Sequence, residues 1–202
     1  MQQLVLNIGP ALEPDFDNYV AGPNAEAVAS LRAFAAGATR EAVFYLWGEP
    51  GSGRTHLLRA AAKLNSALVI ADDVEKSDEP AQQRLFAAIN AARQGEPPVL
   101  AAGGRPPAQL GLREDLRTRL AWGLVYQLKP LTDADKTVHL RAQAARRGLR
   151  LPDEVLAYLL TRLPRDLASL NGVLEALDRY SLATKRPLTV PLVRQALERK
   201  FR

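Results

Sequence analysis

Apolar residues follow two different patterns along the chain, and the pattern changes at Pro130. Before Pro130, short continuous apolar runs alternate with segments in which apolar residues recur every three or four positions. Continuous runs are typical of buried parallel strands, and the three-to-four spacing is typical of amphipathic helices. The strands predicted in this way are 43–47, 67–71, 98–102 and 125–128, and the predicted helices are 24–36, 55–64, 80–94 and 110–122.

The residues after Pro130 show only the helical spacing, and Thr132 and Pro152 are typical first residues of helices. This order of elements predicts an α/β domain with a parallel sheet, followed by a small all-helical lid. The predicted domains are an arm of residues 1–14, a core of residues 15–130 and a lid of residues 131–202, with lid helices at 132–147, 152–163, 166–184 and 190–201.

The composition is that of an ordinary globular protein, with 47% apolar and 24% charged residues. No apolar run approaches the ~20 residues that cross a bilayer, and the first residues lack the pattern of a signal peptide. A cytoplasmic protein without membrane contact is therefore expected, and the absence of cysteine excludes disulfides. Residues 131–202 carry 14 Lys and Arg against 8 Asp and Glu. This excess suits DNA or an acidic protein, but it is equally typical of a solvated helical face.

A phosphate-binding loop is predicted directly after the first strand. Residues 48–55 fit the pattern G-x-x-x-x-G-K-[ST], except that Arg54 replaces lysine. Glycines let backbone N–H groups surround phosphate oxygens, and the Thr55 hydroxyl can bind Mg²⁺. Arg54 keeps the positive charge but is larger and forked, so nucleotide binding is expected and hydrolysis is left open. The predicted nucleotide contacts are Gly48, Pro50, Gly51, Ser52, Gly53, Arg54, Thr55 and His56.

The second predicted strand ends at two acidic residues, Asp72 and Asp73. An apolar strand that delivers acidic residues after a phosphate-binding loop is typical of the Walker B motif. Asp72 is predicted to hold Mg²⁺ together with Thr55. Asp73 is predicted to orient the attacking water, at the position where many ATPases carry a glutamate.

With both motifs in place, the chain resembles the DnaA family of AAA+ proteins and, within it, the Hda group of DnaA regulatory inactivators. Residues 17–22 resemble the family's adenine-side segment, which implies that Tyr19, Val20 and Gly22 line the base of ADP or ATP. Residues 116–123 resemble the family's box VII, which implies that Arg119 is the arginine finger. Without the resemblance, a surface arginine on an amphipathic helix is the simpler interpretation of Arg119.

Two further segments carry the resemblance. Residues 105–107, Arg-Pro-Pro, resemble an Hda segment after the third strand. Residues 3–8, Gln-Leu-Val-Leu-Asn-Ile, resemble the hexapeptide that binds the sliding clamp of DNA polymerase III, its beta subunit, with Gln3, Leu4 and Leu6 as anchors. By itself so short a string is also explained by an edge strand.

The chain departs from the family pattern at three places. Only 17 residues separate Arg54 from Asp72, where the family has another strand and helix. Gly104 stands at the polar sensor 1 position, and Ala168 stands at the sensor 2 arginine. Arg165 lies about one helical turn before Ala168 and is the predicted candidate to contact the nucleotide from the lid.

The resemblance implies a negative regulator of replication initiation whose partners are the DnaA initiator and the sliding clamp. Arg119 then promotes hydrolysis of DnaA-bound ATP, DNA is reached mainly through the clamp, and the chain's own ATPase activity is weak or absent. Two alternatives stay open: a self-sufficient ATPase or helicase loader, which Thr55, Asp72 and Asp73 permit, and a DNA-binding module, which the basic lid permits. A homo-oligomer is possible, but the sequence does not decide the oligomeric state.

Overall fold

The computed structural model describes residues 13–162, 167–184 and 187–198. The described chain divides into an α/β unit of residues 14–130 and a helical unit that begins at Leu131. The predicted fold class, a parallel sheet with helices followed by a helical lid, is confirmed. No helix within the described ranges is long and apolar enough to cross a membrane.

Four parallel strands form the sheet of the α/β unit: β1 (Val43–Gly48), β2 (Val69–Ala71), β3 (Val99–Gly103) and β4 (Leu124–Leu128). They lie in the order β2–β3–β1–β4, so that β1 and β3 are central and β2 and β4 are edge strands. Because all strands are parallel, their carboxyl ends meet at one edge of the sheet. Ligands bind at this edge in open α/β sheets.

Four helices cover the two faces of this sheet: α1 (Ala25–Ala35), α2 (Arg54–Leu64), α3 (Glu79–Ala92) and α4 (Glu114–Leu120). The first two share a core with Phe44 and Leu46 of β1, and the last two share a second core with Val43 and Tyr45. Side chains alternate between the faces of a strand, so a strand covered on both faces is apolar at every position. This explains the uninterrupted apolar run that predicted β1.

The edge strand β2 departs from the prediction of a second buried strand. It is three residues long, and Val69 and Ile70 are 37% and 38% exposed. The short connection between Arg54 and Asp72 holds only the rest of α2 and β2, so the sheet ends at β2. An apolar run alone does not distinguish a central strand from an edge strand, which is why the prediction was wrong.

The segment 110–122, predicted to be helical or partly helical, is helical only in part. A 3₁₀ turn at Pro107–Gln109 comes first, and α4 itself begins at Glu114. The chain turns into β4 at Gly123, where a Cβ atom would collide with the backbone carbonyl of Val43. A bulkier residue at this turn could not bring β4 alongside β1.

The helical unit contains α5 (Asp133–Arg146), α6 (Asp153–Arg162), α7 (Leu167–Thr184) and α8 (Val190–Glu198). The side chain of Thr132 caps α5 by accepting the Asp135 N–H, and the Asp135 carboxylate accepts the Thr132 N–H in return. This exchange satisfies two backbone donors at the helix start. The described core of the unit consists of Leu140, Ala144, Val155, Leu156, Leu159, Leu170, Val173, Leu174, Leu177, Leu188 and Val193.

Candidate nucleotide-binding site and arginine surface

The phosphate-binding loop leaves the central strand β1 at Gly48 and enters α2 at Arg54. Gly51 and Gly53 have φ values of +83° and +93°, a left-handed conformation that glycine adopts at little cost. Gly53 is the N-terminal cap of α2, and no side chain caps the helix there. Because the first N–H groups of a helix have no intrahelical acceptor, the loop offers donors and the positive end of a helix dipole to an anion.

Tyr19 lies directly against this loop. Its hydroxyl donates to the backbone carbonyl of Ser52 at 3.1 Å, and a Cβ atom on Gly53 would lie 2.6 Å from its ring. The ring of His56 packs against Tyr19 with 5.4 Å between centroids, and His56 Nε2 lies 3.0 Å from the Asp15 carbonyl. Burial raises the pKa of Tyr19. The adenine-side segment therefore supports the shape of the phosphate-binding loop through Tyr19.

The other predicted residues of this region have less distinctive surroundings. Val20 is half-buried, and Pro50 is exposed at the tip of the loop. Gly22 has a φ of +49° and begins a 3₁₀ turn that leads into α1. The positive φ explains the need for glycine at this turn, which carries the chain from the adenine-side segment into the helix.

Asn24 is a structural residue of this site that sequence reasoning missed. It is only 3% exposed; its side chain donates to the Lys129 carbonyl at 2.9 Å and accepts the Lys129 N–H at 2.8 Å. The pair joins the start of α1 to the end of β4, 105 positions later. This fixes the chain just beyond the adenine-side segment. The one available signal was an asparagine in a turn, which has no partner in the local sequence.

Two buried polar atoms in the loop have no hydrogen-bond partner among the described residues: Ser52 Oγ and Arg54 Nη1. Buried polar groups are nearly always paired, so both atoms have the capacity to bind a further partner. Phosphate oxygens held by the loop would supply acceptors for both atoms. The residues present therefore fit the phosphates of a nucleotide, held by the loop backbone, Ser52 and Arg54.

Thr55 and Asp72 come together as the Mg²⁺ prediction requires. The Thr55 hydroxyl donates to Asp72 Oδ2 at 2.6 Å, and both side chains are exposed at the carboxyl edge of the sheet. The carboxyl end of β2 positions Asp72, and the first turn of α2 positions Thr55. A hydroxyl and a carboxylate oxygen are ligands that Mg²⁺ uses next to substrate phosphates. The pair fits Mg²⁺ bound together with a nucleotide.

Asp73, the predicted water-orienting residue, has both carboxylate oxygens engaged. Oδ1 accepts from Arg54 Nη2 at 3.2 Å, and Oδ2 accepts from Lys76 Nζ at 2.7 Å. The hydrogen bond from Lys76, and to a smaller extent the charge of Arg54, lower the pKa of Asp73 below 3.8. A carboxylate with a lowered pKa and two cationic partners is a weak proton acceptor.

Glu75 is a second acidic residue of the site that sequence reasoning missed. Its Oε1 accepts the Gly104 N–H at 2.9 Å and lies 3.9 Å from Arg54 Nη1. A Cβ atom on Gly104 would lie 2.9 Å from the same oxygen. The Tyr45 hydroxyl lies near Glu75 and donates to the Arg105 carbonyl at 2.9 Å. Burial and then the charge of Glu75 raise the pKa of Tyr45. Glycine at the sensor 1 position thus makes room for Glu75.

Arg119 lies on a separate surface formed by α3 and α4. Its Nε donates to Asn90 Oδ1 at 2.6 Å, and its Nη1 donates to the Asp115 carbonyl at 3.3 Å. The guanidinium carbon lies 3.9 Å from the centre of the Phe86 ring and 4.9 Å from that of Trp122. No described residue accepts from Nη2, and no described carboxylate forms an ion pair with Arg119. Hydrogen bonds from Nε and Nη1 and contacts with two rings hold the guanidinium, and its Nη2 group is available to a partner.

Comparison with known proteins shows which proteins the chain is similar to. A sequence model of the Hda lid domain matches residues 133–197. Domain III of the Thermotoga maritima replication initiation protein DnaA has a TM-score of 0.72 and 21% identity, covering 94% of this chain and 98% of that chain. AMPPCP-bound DnaA from Aquifex aeolicus has a TM-score of 0.66 and 20% identity, covering 86% and 70%. The Thermotoga maritima RuvB branch migration motor has a TM-score of 0.62 and 16% identity, covering 92% and 71%.

Residues 133–197 are thus related to the lid domain of Hda, and the chain as a whole has the AAA+ fold of the DnaA and RuvB structures. The match to the lid covers about a third of the chain, and the structural likenesses, at these low identities, show the fold alone.

Some predicted sites of this AAA+ protein lie outside the described residues. They are Arg165 at the lid and the three clamp-binding residues Gln3, Leu4 and Leu6. The α/β unit brings the remaining predicted residues into two groups, one around the phosphate-binding loop and one around Arg119. The nucleotide-site group spans residues from Tyr19 to Asp73, and the second group consists of Arg119 and its neighbours on α3 and α4.

Proposed function

We propose that this AAA+ protein is a clamp-bound adaptor that promotes hydrolysis of the ATP held by DnaA and so inhibits replication initiation. Gln3, Leu4 and Leu6 dock in the sliding clamp, which brings the protein to DNA. Arg119 enters the nucleotide site of DnaA and stabilises the negative charge that develops during phosphoryl transfer. The protein itself binds ADP or ATP with Mg²⁺ in the cytoplasm.

The observation that carries this proposal is the environment of Arg119. A guanidinium that acts on a partner's nucleotide needs free donors at its end and a fixed direction. Asn90 binds Nε and Phe86 stacks on the guanidinium face, and neither contact consumes the Nη2 end. A partner's phosphate can therefore bind Arg119 without breaking either contact.

The chain's own nucleotide site supports a binding role better than a catalytic one. The hydrogen bond from Thr55 to Asp72 supports Mg²⁺ binding, and the uncapped start of α2 supports phosphate binding. Asp73, in contrast, is engaged by Arg54 and Lys76, and Gly104 has no side chain with which to contact a terminal phosphate. Nucleotide binding with weak or absent hydrolysis follows from this arrangement.

The test measures ATP hydrolysis by purified DnaA in the presence of clamp-loaded DNA, with and without this protein. We expect hydrolysis to accelerate only when both the clamp and this protein are present. Arg119→Ala is expected to reduce the stimulation by about 10³-fold, because a finger arginine contributes 10³ or more to phosphoryl transfer. Arg84→Ala is the matched control, since Arg84 lies exposed on α3 and its replacement by alanine removes the same charge.

Unchanged stimulation by Arg119→Ala, or equal losses in both variants, would contradict the role of Arg119. Stimulation that persists without the clamp, or after Gln3, Leu4 and Leu6 are replaced by alanine, would contradict the adaptor mechanism. ATP turnover by the isolated protein at an ordinary ATPase rate would favour the alternative, a self-sufficient ATPase or helicase loader, for which the Thr55–Asp72 pair is the supporting observation.

A further inference from the structure

Glu75 lies next to Arg54, the basic residue of the phosphate-binding loop. The basic residue of such a loop reaches toward the β- and γ-phosphates, and in this chain that residue is Arg54. The Glu75 carboxylate lies 3.9 Å from Arg54 Nη1 and is fixed by the Gly104 N–H at the carboxyl end of β3. Glu75 thus faces Arg54 from the direction of β3, and its side chain is 31% exposed.

The charges around Arg54 are already balanced without a nucleotide. Its side chain is only 13% exposed, Nη2 pairs with Asp73 and Nη1 faces Glu75. Nη1 nonetheless has no hydrogen-bond partner among the described residues, because 3.9 Å is too long for a hydrogen bond. The Nη1 end of the Arg54 guanidinium is thus close to the Glu75 carboxylate and can still donate a hydrogen bond to a ligand.

From these contacts we propose that Glu75 determines how the site discriminates between nucleotides by the number of their phosphates. Its carboxylate stands in front of Arg54 as a fixed negative charge, where a third phosphate would come close to it. A like charge at short distance in a partly buried site is unfavourable, and the penalty falls with distance. A triphosphate bears this penalty more than a diphosphate, whose last phosphate ends nearer the loop.

This inference rests on the part of the proposed function that concerns nucleotide binding by this chain, and it is independent of any effect on DnaA. Gly104 contributes to the same discrimination between nucleotides. A side chain at position 104 would start 2.9 Å from Glu75 Oε1 and would displace the carboxylate. Glycine at position 104 therefore lets the Glu75 carboxylate keep its present position.

The test is equilibrium binding of Mg·ATP and Mg·ADP, measured by calorimetry on the full chain. In Glu75→Gln the amide oxygen still accepts the Gly104 N–H, while the negative charge is lost. We expect affinity for ATP to rise about tenfold and affinity for ADP to rise about threefold or less. Glu75→Asp keeps the charge and should keep most of the discrimination. Glu96→Gln, at an exposed position after α3, is the control and should change neither affinity.

Equal changes for the two nucleotides, no change for either, or no binding by any of the proteins would overturn the proposal. If Glu75→Gln does not fold, the wild-type protein provides the test, because a preference of the wild-type chain for ATP over ADP would also overturn the proposal. The effect on DnaA is measured separately, so stimulation of DnaA without altered nucleotide selectivity would remove this inference and leave the adaptor function standing.

Discussion

Two arginines of the α/β unit have opposite surroundings. Arg54, at the phosphate-binding loop, pairs with Asp73 and lies 3.9 Å from Glu75, with 13% of its side chain exposed. Arg119, on α4, has an amide oxygen, a backbone carbonyl and two aromatic rings as neighbours. The described carboxylates neutralise the first charge, whereas they form no ion pair with the second.

The difference indicates which arginine acts within the chain and which acts outside it. A cation that is neutralised by its own chain has less electrostatic attraction left for a ligand, because the internal carboxylates compete with it. A cation that is oriented by aromatic rings and by hydrogen bonds to uncharged acceptors forms no ion pair within its own chain and can pair with a partner's anion. The two environments therefore fit a modest role for Arg54 in nucleotide binding and a decisive role for Arg119 at a partner's site.

The largest expected effect comes from replacing each of the two arginines, Arg119 and Arg54, by lysine. Arg119→Lys keeps the charge but loses the Nε donor and the planar face, so we expect stimulation of DnaA ATP hydrolysis to fall about 10²-fold. Arg54→Lys places a compact ammonium in the loop, and we expect it to alter this chain's affinity for nucleotide by about threefold or less. The measurements are DnaA ATP hydrolysis with clamp-loaded DNA and calorimetric nucleotide binding. Comparable losses in the two assays would erase the distinction between the arginines.

A smaller effect is expected from the residue that orients Arg119. Asn90→Ala removes the acceptor at 2.6 Å and leaves the guanidinium held by the Asp115 carbonyl and by the two aromatic rings. We expect about a tenfold loss of stimulation, the size of one charge-assisted hydrogen bond of about 1.5 kcal/mol. Thermal unfolding should change little, since the bond lies near the surface. Gln94→Ala, one turn later and exposed, serves as the control. Faster hydrolysis in Asn90→Ala would mean that Asn90 restrains Arg119 instead of aiming it.

The smallest expected effect concerns Asp73, the carboxylate that pairs with Arg54. The folded-state pKa of Asp73 is lowered, so its contribution to stability is present above the unfolded value of 3.8 and is lost as pH falls through the folded value. Since Asp73 is 36% exposed, solvent screening limits this contribution to about 1 kcal/mol or less. Asparagine tolerates the left-handed backbone at this position, where φ is +47°.

Asp73→Asn is therefore expected to be less stable than wild type at pH 7, and the difference should shrink at a second pH below 3.8, where the carboxylate of the wild type begins to be protonated. Urea unfolding at the two pH values measures it. A difference of the same size at both values would show that the effect comes from the backbone or from packing, and not from the ion pairs with Arg54 and Lys76.

Local sequence was sufficient for elements whose signal lies within a few residues. The run at 43–47 predicted β1, and the eight-residue pattern that follows predicted the phosphate-binding loop. The pattern after Pro130 predicted the helices of the lid, and the described helices begin within one residue of the predicted starts. The exposure of β2 was missed because burial depends on which elements lie beside a strand, and its own residues are as apolar as those of a central strand.

The sequence by itself determined the class of the fold, the phosphate-binding loop and the Thr55–Asp72 pair, because spacing along the chain specifies these features. Only the tertiary structure decided the role of Glu75, which meets Gly104 from 29 positions away, and the support of Arg119 by Asn90, also 29 positions away. It also decided the tie between Asn24 and Lys129. Hydrogen bonds and charge pairs act over a few ångströms of space, and the packing of helices on a sheet, which no local pattern records, sets those distances.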